Sequence, residues 1–261
     1  MRPSPGPRRV LVLGGSSEAS QLVQQLSQLG FDLEVIVSFA GRTTSRNRLP
    51  DSIKERVGGF GGVEGLGRYL EEECIDAVID ATHPFADQMP FHARAASDAA
   101  GVAALRLLRP PWKEVPGDEW LPVEDMASAA QAVEASGARR VLLTIGRHEL
   151  PAFAACSPAI HFVVRSIDPP VSVGFANIDV VLARGPFALP EELELIRSAN
   201  IELVVSKNSG GQATSAKLDA ARQLSRPVVM VQRPPCPPGD TVATPEAALK
   251  WLAAQLKETG R

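Results

Sequence analysis

The sequence predicts an α/β protein made of two domains in tandem, each a parallel sheet with helices on its faces. Three observations carry this. Short apolar runs alternate with stretches of helical spacing along nearly the whole chain, the pattern of strand–helix–strand units. The alternation breaks once, at RPPWKEVPGDEW (residues 109–120), which holds three prolines, a glycine and two tryptophans. The chain has 261 residues, enough for one large domain or two small ones.

The elements follow in order. RRVLVLGG is a strand running into glycines, and residues 16–30 place Ala19, Leu22, Val23, Leu26 and Leu29 on one helical face before Gly30 ends it. DLEVIVS and IKERVGG are strands, residues 63–73 a helix, DAVIDA a strand, residues 87–100 a helix and VAALRLL a strand. After the break, residues 125–136 are helical, RRVLLTIG is a strand and residues 148–155 a short helix. IHFVVRS and IDVVLAR are strands, followed by a helix at 189–199, the strand IELVVS, a helix at 214–224 and the strand RPVVMVQ. The last helix, residues 245–257, opens with Thr244-Pro245-Glu246: a cap, a proline at its first position and an acid in its first turn. This is a tandem of Rossmann-like domains with parallel sheets, divided as residues 1–110 and 111–261, and with the active site expected in the interdomain cleft.

Composition narrows the function. The chain is 44% hydrophobic and 22% charged, ordinary for a globular protein. A net charge of −3 gives no ground for general nucleic-acid binding. Cys74, Cys156 and Cys236 lie far apart, with no metal-ligand spacing, so no metal is expected and a reducing compartment is. No apolar run approaches membrane-spanning length, and the expectation is a cytoplasmic protein with no membrane partner.

Ligands of such folds bind beyond the carboxyl ends of the strands, so the chemistry is sought in the loops there. LGGSSEAS brings Gly14 and Gly15 for a tight turn and close backbone approach, and Ser16 and Ser17 to open a helix whose N-terminus attracts phosphate. The alternative is a plain strand-to-helix turn. The second strand ends SFAGRTTSRNR. Between Glu34 and Asp51 it has no acid to meet a ribose hydroxyl, but it has Ser38, Gly41, Arg42 and Thr43, which suit the 2′-phosphate of NADP. A solvated basic loop is the alternative. DATHPFADQ puts Asp80, Ala81, Thr82 and His83 after a buried strand, with His83 a candidate general acid or a pocket-shaping residue. In the second half Arg147, Arg184 and the run Lys207, Asn208, Ser209 and Gly210 occupy strand ends. An acidic chain with a basic ligand face implies anionic ligands.

Seven motifs in order, VLGGSSEA, SFAGRT, DATHPFA, RP-x-W, LTIGR, RGPF and KNSGG, resemble the precorrin-6A reductase family of cobalamin biosynthesis. The resemblance covers essentially the whole chain; Ser16 and Ser17 stand where the family often has Thr. It implies two Rossmann-like domains with the site between them. It implies reduction of one double bond of the precorrin-6A macrocycle to give precorrin-6B, with hydride delivered to one ring carbon and a proton to its neighbour. With the reading of SFAGRT, the cofactor expected is NADPH. Gly14 to Ser17 would approach the pyrophosphate, Ser38, Arg42 and Thr43 the 2′-phosphate, and Asp80, Ala81 and Thr82 the nicotinamide. Arg147, Arg184 and Lys207, with Asn208, Ser209 and Gly210, would meet the acetate and propionate arms of the tetrapyrrole. The alternatives are an NADP-dependent reductase of another anionic substrate, and the cobalt-precorrin-6A form of the same reaction. Other enzymes of the pathway are candidate partners.

Overall fold

The computed structural model describes residues 7–29, 33–41, 49–170 and 174–258. It divides into two compact units. Unit 1 comprises Met1–Arg109 and Pro234–Arg261, and unit 2 is Pro110–Arg233.

Unit 1 contains β1 (Arg8–Leu13), α1 (Ser17–Ser27), β2 (Leu33–Phe39), β3 (Ile53–Val57), α2 (Gly62–Glu72), β4 (Ala77–Asp80), α3 (Met89–Ala100) and β5 (Ala103–Leu107). The final pieces of the chain, β12 (Thr241–Val242) and α7 (Pro245–Glu258), also belong to it. Its six-stranded sheet runs β12-β5-β4-β1-β2-β3, and every pairing in it is parallel. A parallel sheet is covered on both faces, so its strands read as continuous apolar runs. In β1, Val10 and Val12 pack with Ala19, Leu22 and Leu26 of α1 and with Ala248 and Leu252 of α7. Leu11 and Leu13 face the other way, onto Leu66 and Leu70 of α2 and Ala93 and Ala96 of α3.

Unit 2 contains β6 (Trp120–Val123), α4 (Met126–Ser136), β7 (Arg140–Thr144), β8 (His161–Ser166), β9 (Ile178–Leu182), α5 (Leu189–Ser198), β10 (Leu203–Lys207), α6 (Ala216–Gln223) and β11 (Val228–Val231). Its sheet runs β6-β11-β10-β7-β8-β9 and is also six-stranded and parallel. Leu142, Val204 and Met230 of its centre pack with Ile196 of α5 and Leu218 and Ala221 of α6. The helix expected at 148–155 is a single 3-10 turn, Leu150–Phe153.

Two strands lie outside the expected set, and they change the division of the chain. β6 begins at Trp120, the last residue of the expected break, and joins β11, with Trp120 opposite Val228. β12 follows the proline-rich stretch after β11 and pairs with β5, Thr241 opposite Arg106. Residues 234–261 therefore group with unit 1, whereas the sequence reading placed them in a second domain of 111–261. The physical reason is burial: α7 covers the apolar face that α1 shares with β1 and β5, and Gln25 of α1 donates to Glu246 of α7 at 2.9 Å. Each sheet thus receives its sixth strand from across the chain's midpoint or end. Among the described residues no helix is long and apolar enough to cross a membrane.

Candidate functional site

In unit 1 the strand order reverses between β1 and β4, and a crevice for ligands opens outside the carboxyl ends of strands at such a switch point. Two sequence-predicted loops meet there. The first runs Gly14 to Ser17. Gly14 donates its N–H to Ser38 O at 2.8 Å and lies against the Phe39 ring, where a side chain would come within 2.7 Å. Gly15 has φ +149°, and a Cβ there would stand 3.3 Å from His83 N and 3.6 Å from Thr82 Cα. The glycine is required by the second loop's approach. Ser16 is the N-cap of α1: its hydroxyl accepts from Ala19 N–H at 3.1 Å and donates to Ala81 O at 2.9 Å. One side chain closes the helix start and ties it to the loop after β4. The first-turn amides of Ser17 and Glu18 face outward from a helix N-terminus, as the dipole argument for an anion requires. The Glu18 carboxylate would oppose that anion, but Arg109 holds it in an ion pair and also donates to Ser17 Oγ at 3.3 Å. The sequence reading had Arg109 only as part of a motif.

The second loop, residues 80–85, is held from below. Asp80 is buried, and its Oδ1 accepts from Thr82 N–H at 3.0 Å and from Thr82 Oγ1 at 2.7 Å. Its Oδ2 accepts from Arg106 of β5. His83 Nδ1 accepts from Phe85 N–H at 3.2 Å. That bond assigns the neutral ring's proton to Nε2, and a doubly protonated ring would lose it. Ser38 is 5% exposed, and its hydroxyl accepts from Arg56 at 3.3 Å. Arg56 also donates to Gly58 O and Gly59 O and lies 3.7 Å over the Phe60 ring, so the GGFGG stretch forms a braced turn. Gly41 has φ +75°. Arg42 and Thr43 lie outside the described residues.

Unit 2 has its own switch point, between β7 and β10. Here two of the predicted cations, Lys207 and Arg147, already have internal carboxylates. Lys207 Nζ donates to Glu149 Oε1 at 2.7 Å, and the other oxygen of Glu149 accepts from Gly146 N–H at 2.6 Å. Arg147 pairs with Asp168 at 3.5 Å. Arg184 opens the RGPF loop, whose Phe187 accepts the Arg165 guanidinium on its face at 3.8 Å, and Arg165 is in turn buried against Glu192. Asn208 is 6% exposed and turned inward. Its amide brackets one peptide segment: Oδ1 accepts from Trp112 N–H at 2.8 Å and Nδ2 donates to Trp112 O at 3.2 Å. Arg233 donates to Asn208 O at 2.9 Å and to Ser209 O at 3.0 Å. Gly210 has φ +67°, and a Cβ would collide with Pro110 O at 2.0 Å. KNSGG is thus bolted to the RP-x-W segment. Asp80 to His83 and Gly14 to Ser17 are brought together, whereas Asn208, Ser209 and Gly210 are committed to the protein itself. Sequence reasoning missed Arg106, Glu149 and Arg233, whose partners are Asp80, Lys207 and the backbone of Asn208 and Ser209.

Comparison with known proteins agrees with this layout. The family model described as precorrin-6x reductase CbiJ/CobK matches residues 9–253. A precorrin-6A reductase of Rhodobacter capsulatus is 45% identical over 94% of this chain and 96% of its own length. A cobalt-precorrin-6A reductase of Priestia megaterium is 24% identical over 95% of this chain and 99% of its own. A solved structure, the CobK precorrin-6A reductase, superposes with a TM-score of 0.87 at 44% identity, covering 95% of this chain and 97% of that one.

Proposed function

Since the chain belongs to the precorrin-6x reductase family CbiJ/CobK, we propose that it reduces precorrin-6A, the tetrapyrrole precursor of cobalamin, using NADPH. The observation that carries the cofactor half is the crevice between β1 and β4. Gly15, at φ +149°, lies in tight contact with Thr82 and His83, Ser16 joins the two loops, and the start of α1 offers its first-turn amides. A dinucleotide's pyrophosphate fits this set of donors. A nicotinamide cofactor is the reductant expected of such a fold; the choice of NADPH rests on SFAGRT, where Ser38, Arg42 and Thr43 stand in place of a ribose-binding acid. The metal-free substrate is favoured over the cobalt form because identity to the precorrin-6A reductase above is far higher than to the cobalt-precorrin-6A reductase.

When bound, the reduced nicotinamide supplies the hydride. The chain's own residues bind, orient and exclude water. Gly14, Gly15, Ser16 and Ser17 seat the pyrophosphate. Asp80, Ala81 and Thr82 form the wall beside the nicotinamide. His83 shapes that wall through the hydrogen bond that its Nδ1 accepts from Phe85 N–H, and it is the candidate donor of the proton to the neighbouring ring carbon. Arg147, Arg184 and Lys207 of unit 2 meet substrate carboxylates by exchange, releasing internal carboxylates such as Asp168 and Glu149. Asn208, Ser209 and Gly210 keep the loop that carries Lys207 in shape.

The test is anaerobic incubation with precorrin-6A and NADPH, following cofactor oxidation and the pigment spectrum together. Both should change in step; an unchanged pigment spectrum overturns the reading. Arg42→Ala should raise KM for NADPH far more than for NADH, and equal increases would remove the 2′-phosphate assignment.

A further inference from the structure

We infer that Arg106 is a positioning residue for the cofactor site, acting through Asp80 on the loop of Ala81, Thr82 and His83. The inference rests on the reading that this loop walls the nicotinamide, and it names what holds the wall in place. Arg106 lies inside β5, and its side chain is 7% exposed, as is that of Asp80. The two are register partners on adjacent parallel strands, and the guanidinium meets Asp80 Oδ2 through Nη1. The other oxygen of Asp80 takes both the N–H and the hydroxyl of Thr82. One carboxylate therefore converts a strand-borne cation into the conformation of the loop. Beyond it, Thr82 and His83 are the atoms against which Gly15 is packed, and Ala81 O receives Ser16. The line runs without interruption from β5 to the start of α1.

The pair is an expensive way to fill a core. Arg106 Nε and Nη2 have no hydrogen-bond partner in the protein among the described residues. Two apolar side chains would pack this position between β4 and β5 at lower cost, because buried charges lose their hydration. What an apolar pair cannot do is fix Thr82. The arrangement is also held from the far side: Arg106 N–H donates to Asp240 O at 2.9 Å, so the returning strand β12 makes β5 an interior strand at this residue. A cavity of about 30 Å³ lined by Asp80, Arg94 and Arg106 flanks the pair. It has room for one or two waters beside the pair.

Three variants test this: Arg106→Met, Arg106→Lys and the double variant Asp80→Leu/Arg106→Met. The readouts are thermal unfolding, NADPH affinity from cofactor fluorescence without substrate, and KM against kcat in the full assay. Arg106→Met should bind NADPH about tenfold more weakly, the equivalent of one lost charge-assisted contact. Arg106→Lys, which keeps a point charge beside Asp80, should recover to within about threefold. The double variant removes both charges and should unfold near the wild-type temperature, yet still bind NADPH about tenfold more weakly because Thr82 has lost its acceptor. Wild-type NADPH affinity in the double variant, or in a folded Arg106→Met, overturns the proposal. The two failures separate cleanly. If the wild type binds NADPH but leaves precorrin-6A unreduced, the functional reading falls while the affinity comparison still decides the role of Arg106.

Discussion

Truncating Asn208 to alanine tests whether KNSGG is a clasp within unit 2 or a set of substrate donors. The side-chain amide makes two bonds to one residue, 2.8 Å from Trp112 N–H and 3.2 Å to Trp112 O. Both are lost in Asn208→Ala. Each bond contributes about 1 kcal/mol net, and a stranded partner adds a desolvation cost of about 1–3 kcal/mol when fully buried. Trp112 is half-buried, so water recovers part of this and the sum is about 2 kcal/mol. For a chain of this size that corresponds to a fall of about 4–8 °C in Tm, read by calorimetry as the transition of unit 2. Asn208→Asp sharpens the test. It keeps the acceptor for Trp112 N–H but sets a carboxylate against Trp112 O, so it should be at least as unstable at neutral pH. It should regain stability as the pH falls towards about 4, where the protonated acid can donate again. Substrate KM, measured well below either transition, should move by less than about threefold, far short of the tenfold step a lost direct contact of about 1.4 kcal/mol would give. A Tm within about 1 °C of wild type, together with a large rise in substrate KM, would refute the clasp and return Asn208 to the substrate site.

Two further outcomes are expected. Gly15→Ala places a Cβ 3.3 Å from His83 N on a backbone with φ +149°, so the DATHPFA loop must retreat; NADPH affinity by fluorescence titration should fall about tenfold, and unchanged affinity would show that the loops are not set by this glycine. Stability should also carry an acid-side signature from Glu34, whose carboxyl is held below its ordinary range by the hydrogen bond from Lys54, with Arg9 adding to it against the effect of burial. A carboxyl depressed in the folded state contributes stability above its unfolded pKa and loses it as pH falls through the folded value, so chemical denaturation of Glu34→Gln should show a flatter loss of stability at acid pH than wild type; a parallel loss in both would assign the acid limb to other groups.

The interior strands were legible because a parallel sheet buries both faces, and runs such as VLVL, EVIV and LVVS satisfy that demand with no help from the rest of the chain. The sixth strands were not. β6 contains Pro122 and is only half-buried, and β12 is two residues long, so neither has the run or the alternation that marks a strand. Both pair on one side only, which is where a proline is tolerated. The return of residues 234–261 was illegible for a related reason. The apolar face of α7 specifies that some sheet must cover it, and nothing in its spacing says which one.

The site divides along the same line. Residue types at strand ends are local, so GGSS, DATH and KNSGG could be found in the sequence; the direction in which each polar group bonds is set by partners 26 to 96 residues away. Asn208 turns to Trp112 and Asp80 to Arg106, and neither choice is written near the residue itself. One of the two could still have been reached. Once the alternation predicts a strand buried on both faces, an arginine in the middle of AALRL has no exposed face to occupy and must have an acid beside it. The preceding strand, AVID, ends on the acid that matches it in parallel register. A charge at a position that the fold class requires to be apolar is therefore a pointer to the loop its partner controls, and here that loop is DATHPFA.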